Sequence, residues 1–462
     1  MRRIFAIAGL TWKAAFRYRL FWVMATLLIL AVVGLPLVIK GDGTAQGLTQ
    51  VLITYTLGAT ATLLGFFTLW FSCGTLARDI EESQMQTVCV KPVGRWQVWI
   101  GKWMGIMALN GMLLGIAGTL DFVLLQYRAS KLPPAQQKLL QEQVFVARAG
   151  AKEKPPDLKA MVDGAVAEWH KKNKNQNLSI EDETELRKTY TAQARAYFEE
   201  VDPGSWKKVP WGIDLSRLPE KTRHQPLEIR IKFHTAAMNP AETYAMRWII
   251  EGPDLKQPLQ MVETFPPDSY QNFQIPADVL GPKAQLALQV YNPNEETLTF
   301  PLEDGFEILY YENTFAVNFA RGLLVILCWM GFLSMVGLAT ASELSFPVAA
   351  FASVSVLIMG LFSGTLSTIV EQNTIFGFNA RTSEYNHTAL DNIVVPMFKG
   401  ALTVINLVQG FSPIDSLSTG RSVTWGELGL AFAQIILLLG GFFAILGIVL
   451  FMRRELAAAQ TG

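Results

Sequence analysis

Few groupings in this chain can do chemistry. Its four histidines, His170, His224, His234 and His387, stand apart, with no H-E-x-x-H and no close pair. Cys73, Cys89 and Cys328 form no C-x-x-C, so zinc-type ligand spacing is missing, and they read as small apolar residues. No G-x-S-x-G marks a nucleophile elbow. Residues Gly94–Lys102 end in a Gly-Lys pair, but the G-x-x-x-x-G-K-[ST] spacing is absent. Trp103 also stands where a hydroxyl would hold Mg²⁺. The sequence therefore predicts no catalytic residue, no metal, no cofactor and no ATPase of its own. What remains is Arg78–Lys102. Acidic residues open a short helix there, Met85, Val88 and Cys89 give it an apolar face, and Lys91-Pro92 ends it. Such a helix, joined to apolar segments on both sides, can take a push from a partner.

The surrounding elements are set by composition. Of 462 residues, 50% are apolar and 17% charged, and 39 Lys plus Arg balance 39 Asp plus Glu. A zero net charge argues against nucleic-acid binding. The average hides a split. Tyr127–Asn313 holds 50 of the 78 charges and 17 of the 22 prolines. Elsewhere the chain has charge-free runs at Leu20–Ile39, Gly43–Ala77, Trp103–Leu120, Gly322–Ser342, Leu344–Val370 and Leu428–Met452. About 20 apolar residues cross roughly 30 Å of hydrocarbon at 1.5 Å each. These runs predict an α-helical polytopic membrane protein with six transmembrane helices, carrying a helical plus antiparallel β-sandwich insert outside the cell membrane. Gly400–Ile414, bracketed by Pro396 and Pro413, is short and reads as interfacial or re-entrant.

Lys and Arg near the span ends set the orientation. Arg2, Arg3, Lys13, Arg17, Arg19, Arg78, Lys91, Arg95, Lys102, Arg453 and Arg454 fall on one side. Lys40, Arg381, Lys399 and Arg421 fall on the other. Both termini are thus expected in the cytoplasm of an inner-membrane protein, with residues 127–313 outside. The divisions are an amphipathic elbow at 1–19, helices 1–3 at 20–126 with the loop 78–102, and the insert at 127–313. Helices 4–5 follow at 314–370, an outer loop at 371–427, helix 6 at 428–452 and a tail at 453–462. A scarcity of buried carboxylates disfavours an ion-coupled transporter, Asp121 and Arg321 being placed near outer ends.

Within the insert, 131–200 reads as helical, with Ser179–Asp182 as a capping box and Lys171–Asn177 as a solvated turn. Residues 206–312 read as short strands. Leu227, Ile229, Ile231 and Phe233 alternate with charged residues, and Leu286, Leu288, Val290 and Phe306, Ile308, Tyr310 repeat the pattern. Trp206, Trp211 and Trp248 are more often core than surface in such a fold. Sandwiches also bind envelope proteins or glycans, which makes a displayed binding domain on a membrane anchor the rival function.

Glu81-Glu82, Pro92-Val93-Gly94-Arg95 and Gly101-Lys102 resemble the cytoplasmic coupling segment of ABC-2 type transporter permeases, in which Ser usually occupies the place of Gly94. Leu10–Lys13 with Arg17–Phe21, Ala341–Ala349 and Arg453–Leu456 are similar to the multi-copper-enzyme-maturation branch of that family. The resemblance covers the membrane residues and none of the insert. It implies two permease copies, homodimer or pseudo-dimer, above separate cytoplasmic ATP-binding-cassette subunits. It makes Glu81, Glu82, Met85, Val88, Pro92, Arg95, Gly101 and Lys102 the expected coupling residues.

Overall fold

The computed structural model describes residues 2–17, 19–38, 45–82, 85, 93–151, 156–173, 180–208, 213–214, 227–235, 243–251, 257–276, 285–302, 305–372, 374–375, 378–379, 384–385 and 390–454. The chain divides into two compact units, Met1–Ala147 with Thr314–Gly462, and Arg148–Asn313. The first boundary lies beyond Tyr127. The helix Arg95–Ser130 runs past that residue, and Leu140 and Val144 are buried with Leu52, Phe315 and Phe319 in one cluster.

The first unit is helical. Its elements are α1 (Arg2–Arg17), α2 (Arg19–Val38), α3 (Ala45–Glu81), α4 (Arg95–Ser130) and α5 (Pro134–Gln143). After the second unit, which carries α6 and α7, come α8 (Phe315–Glu343), α9 (Phe346–Leu361), α10 (Ser363–Gln372), α11 (Asp391–Gln409) and α12 (Pro413–Ser418). The last helix is built of α13 (Trp425–Ala431), a π segment at Phe432–Gly440 and α14 (Gly441–Arg453). Among the described residues, five helices are long and apolar enough to cross a membrane: Thr49–Glu81, Arg95–Ser130, Phe315–Glu343, Asp391–Val408 and Trp425–Arg453. Counting two bent pairs, α1 with α2 (74°) and α9 with α10 (70°), raises the number to seven.

Trp425–Arg453 shows why an apolar medium is needed. Its mean hydropathy is 2.9, yet only 28% of its most apolar window is buried. Leu437, Phe442 and Ile445 project outward and exposed. A helix apolar on all sides and this thinly covered is at rest in lipid rather than water. α8 is the opposite case. Its window is 72% buried, and α3, α4 and the last helix pack around it.

Two sequence expectations shift here. The run Leu344–Val370 is a helix pair bent at Phe362 rather than one straight span. Pro396 lies inside α11 rather than before it, so this helix is of membrane length, not a 15-residue fragment. A helix satisfies its own backbone, and the ring of Pro396 removes one donor only.

The second unit carries α6 (Leu158–Lys172), α7 (Ile180–Glu199) and the strands β1 (Val146–Ala151) to β12 (Phe306–Thr314). One sheet runs β1-β12-β5 (Leu227–Ile231)-β9 (Gln271–Ile275). The other runs β3 (Trp206–Lys208)-β10 (Gln285–Tyr291)-β7 (Tyr244–Glu251)-β8 (Leu259–Phe265), with β4 (Ile213–Asp214) on β10. Ile229 and Ile231 of the first meet Met246, Trp248 and Ile250 of the second in one core, as in a sandwich. The alternation in β5 holds, but its polar face is not solvated. Glu228 and Arg230 are buried, Glu228 pairs with Arg148 from β1, and Arg230 lies in register with Glu307 of β12. Arg148 is some eighty residues away in sequence, so periodicity alone could not reveal the cover. Asp182 lies within α7, whereas Ser179 of the capping box and Lys174–Asn177 of the turn lie outside the described residues.

Candidate functional site

Each helix end leaves four backbone groups without intrahelical partners, and charged side chains can supply them. At one end of the helical unit, Glu81 and Arg95 do this for two different helices, and Lys102 ties α4 to α3. Lys102 is 6% exposed on α4; its Nζ donates to Asp79 Oδ2 at 2.5 Å and to the Thr75 carbonyl at 2.7 Å, both on the last turns of α3. Glu81 accepts the backbone N–H of Phe346 at 2.9 Å, placing a carboxylate at the N-terminus of α9. The Arg78 guanidinium lies 4.4 Å from the centre of the Phe346 ring, against whose edge Trp70 also packs. Arg95 donates to the carbonyls of Phe451, Met452 and Arg454 at 2.9–3.0 Å, closing the C-terminus of α14. Arg454 in turn reaches Ser342 O at 3.1 Å, at the end of α8.

Glycines seat the N-terminal helix. A Cβ on Gly101 would come 2.7 Å from Ile7 Cβ, and one on Gly105 would come 2.7 Å from Thr11. Gly101-x-x-x-Gly105 therefore lets α1 lie almost backbone to backbone on α4. This small-x-x-x-small spacing is readable in the sequence and is the signal that identifies what Gly101 does. α1 turns Thr11 and Ala15 inward and leaves Phe5 and Leu10 exposed.

Of the expected coupling residues, the structure brings Glu81 and Arg95 to helix ends, buries Lys102 against α3 and puts Gly101 under α1. Glu82 is exposed. Met85 is 2% exposed in the core of its own helical unit rather than free for a partner. Val88 and Pro92 lie outside the described residues. Trp96 is 45% exposed on the first turn of α4, next to Gly94, whose N–H donates to the Gln97 side chain.

Deeper in the unit, α3 and α4 are joined by polar rungs. Thr68 donates to Asn110 Oδ1 at 3.1 Å. Asp121 on α4 is 2% exposed. Neither Cys73 nor Cys328 is accessible; both are buried. Among the described residues no three His, Cys, Asp or Glu side chains cluster as a metal site. His234 pairs with Asp268 at 2.5 Å and His170 packs on Trp169.

In the second unit the three tryptophans part ways. Trp248 is buried, Trp211 lies outside the described residues, and Trp206 is 47% exposed. Trp206 pairs across the sheet with Tyr291, ring centres 4.8 Å apart, and Arg247 pairs with Tyr291 on the other side. No family model, no curated protein and no solved structure matches the chain.

Proposed function

We propose that this chain is the membrane subunit of an ATP-driven transporter, and that residues 78–102 pass the stroke of a separate cytoplasmic ATP-binding-cassette subunit to the helices. One observation carries the reading. Glu81 and Arg95 bind the ends of α9 and α14, and Lys102 ties α4 to α3, so force on the intervening segment reaches several helices at once. Exposed Glu82 and Trp96 supply the face toward the ATPase, while Met85 anchors the segment from within. Two copies pair in the bilayer. The topology we favour has six crossings, both termini in the cytoplasm and residues 127–313 outside, which keeps the eleven basic residues on one side. α11, though of membrane length, then lies at the interface without crossing.

The test is purification of the full chain with its bound proteins and identification of those chains. An ATP-binding-cassette subunit is expected. In proteoliposomes, Arg95→Ala should retain that subunit yet uncouple its ATP hydrolysis from the permease, whereas Trp96→Asp should release it. Recovery of no ATPase removes the reading. A cysteine at residue 200 should react with an impermeant thiol reagent in intact spheroplasts; labelling only after lysis overturns the topology.

The row Trp206, Tyr291 and Arg247 favours a second reading, a membrane anchor that displays the sandwich to a glycan or an envelope protein. Aromatic faces and a guanidinium on an exposed sheet suit stacking and hydrogen bonding. Loss of envelope binding in Trp206→Ala, with no associated ATPase, would put this reading first.

A further inference from the structure

The helical unit contains a cavity of about 310 Å³ walled by α3, α8, α9, α11 and α12. No charged side chain lines it, and Thr62 supplies its single hydroxyl. Two of its walls are thin. Val356 and Leu361 on α9 and Val404 on α11 line the cavity and are each more than 40% exposed, so it opens sideways between outward-facing apolar surfaces. α9 has 16 residues and therefore reaches only about 24 Å at 1.5 Å per residue, short of the hydrocarbon thickness. It ends at the 70° bend beside Gly360 and Leu361, both in the cavity wall. Broken backbone at membrane depth persists where it borders a cavity rather than lipid.

We infer that this cavity holds an acyl chain of a membrane lipid, entering laterally between α9 and α11. The chemistry of the wall selects the occupant. An ion or a charged solute would lose its hydration and find no counter-charge, which is prohibitive in an apolar site. A methylene chain is thin, gains contact with every wall, and is the most abundant apolar solute around helices of this kind. The site does not depend on any ATPase, so it stands or falls apart from the coupling reading.

Glycines at the site allow a clean test. A Cβ on Gly58 or on Gly360, both in the cavity wall, would meet no atom within 4 Å, so larger residues there grow into the cavity and not into protein. Gly111 on α4 is equally open but does not line the cavity, and serves as control. The full chain would be placed in phosphatidylcholine nanodiscs doped with a phosphatidylcholine bearing a diazirine in one acyl chain. After illumination, adducts would be mapped by mass spectrometry. Adducts are expected to concentrate on Leu357, Leu361 and Val404. They should fall at least fivefold in Gly58→Leu and in Gly360→Leu, and remain in Gly111→Leu, with the melting temperature of each variant showing that it is folded. Two filled sites on different helices guard against one failing to fold. Adducts spread evenly over exposed faces and unchanged by filling would overturn the inference. So would protein–protein adducts joining two copies through these residues.

Discussion

The two units spend their charged side chains differently. In the helical unit, Glu81 opens α9 and Arg95 closes α14, while Lys102 and Asp79 tie α4 to the last turns of α3. In the second unit they lie in the middle of strands, with Arg148, Glu228 and Arg230 buried side by side on one sheet. The cause is where each element leaves its backbone. A helix satisfies its own interior and exposes only its ends, whereas a strand depends on its neighbours along its whole length. Side chains that bind ends hold helices to one another without fixing their length. Side chains across strands fix register. The first arrangement can transmit movement; the second resists it.

The sharpest break in that comparison is in the sandwich. Trp248 sits among Phe273, Phe300 and Phe306, all four buried. Trp248→Ala should cost about 3–5 kcal/mol. In the full chain the transition assigned to the second unit should move down strongly, while far-ultraviolet dichroism at the helical transition stays in place. A single shared shift would mean that the units do not melt separately.

Lys102 comes next. Lys102→Met leaves Asp79 beside an apolar neighbour, and a buried pair broken on one side costs about 3–5 kcal/mol, with the lower end apt because Asp79 keeps some solvent. Adding Asp79→Asn should recover much of the loss. Detergent-solubilised melting of the single and double variants reads this directly. Equal loss in both would assign the effect to packing rather than charge.

These two residues also show how far the sequence reaches. The membrane helices are legible because a charge-free run of 20 or more residues has few other homes, and helix ends are legible because charges resume there. The sandwich core is legible from period-two alternation at Ile229, Ile231, Leu288 and Val290. What stays hidden depends on contacts distant in sequence. The burial of Glu228 needs Arg148, and the burial of Met85 needs the helices it packs on. The bend at Phe362 has no charge or proline to announce it, only Ser363-Gly364 after a continuous apolar run. For residues 78–102, the residue types are readable, but that Glu81 and Arg95 bind the ends of two other helices and Lys102 ties α4 to α3 is not.

Gly101 sharpens the comparison on the helical side. Any side chain there must displace Ile7, whose Cβ already stands 2.7 Å from the missing atom. Gly101→Val should therefore lift α1 off α4 at a cost of about 1–3 kcal/mol. Limited proteolysis near Lys13 and Arg17 should accelerate, with the remaining bundle intact. Gly111→Val, at an open position on the same helix, should leave the digestion rate unchanged.

The smallest effect concerns a charge that the sandwich holds at a disadvantage. Burial lowers the Lys207 ammonium to about 8, against the weaker pull of Glu200, Asp202 and Glu199, which favours the charged form. Its Nζ donates to the Glu200 carbonyl. Because the folded value lies below the ordinary 10.5, the unfolded chain binds more protons between about pH 8 and 10.5. Lys207 therefore opposes folding fully below about pH 8, and that opposition fades as the pH rises through the window. After solvent screening its contribution is about 1 kcal/mol or less. The second-unit transition of wild type, measured from pH 7.5 to 10, should include an upward contribution that Lys207→Met lacks. The variant should thus gain most over wild type at the low end of the range. A constant offset between the two across the range would show that Lys207 is charged to the same extent in both states.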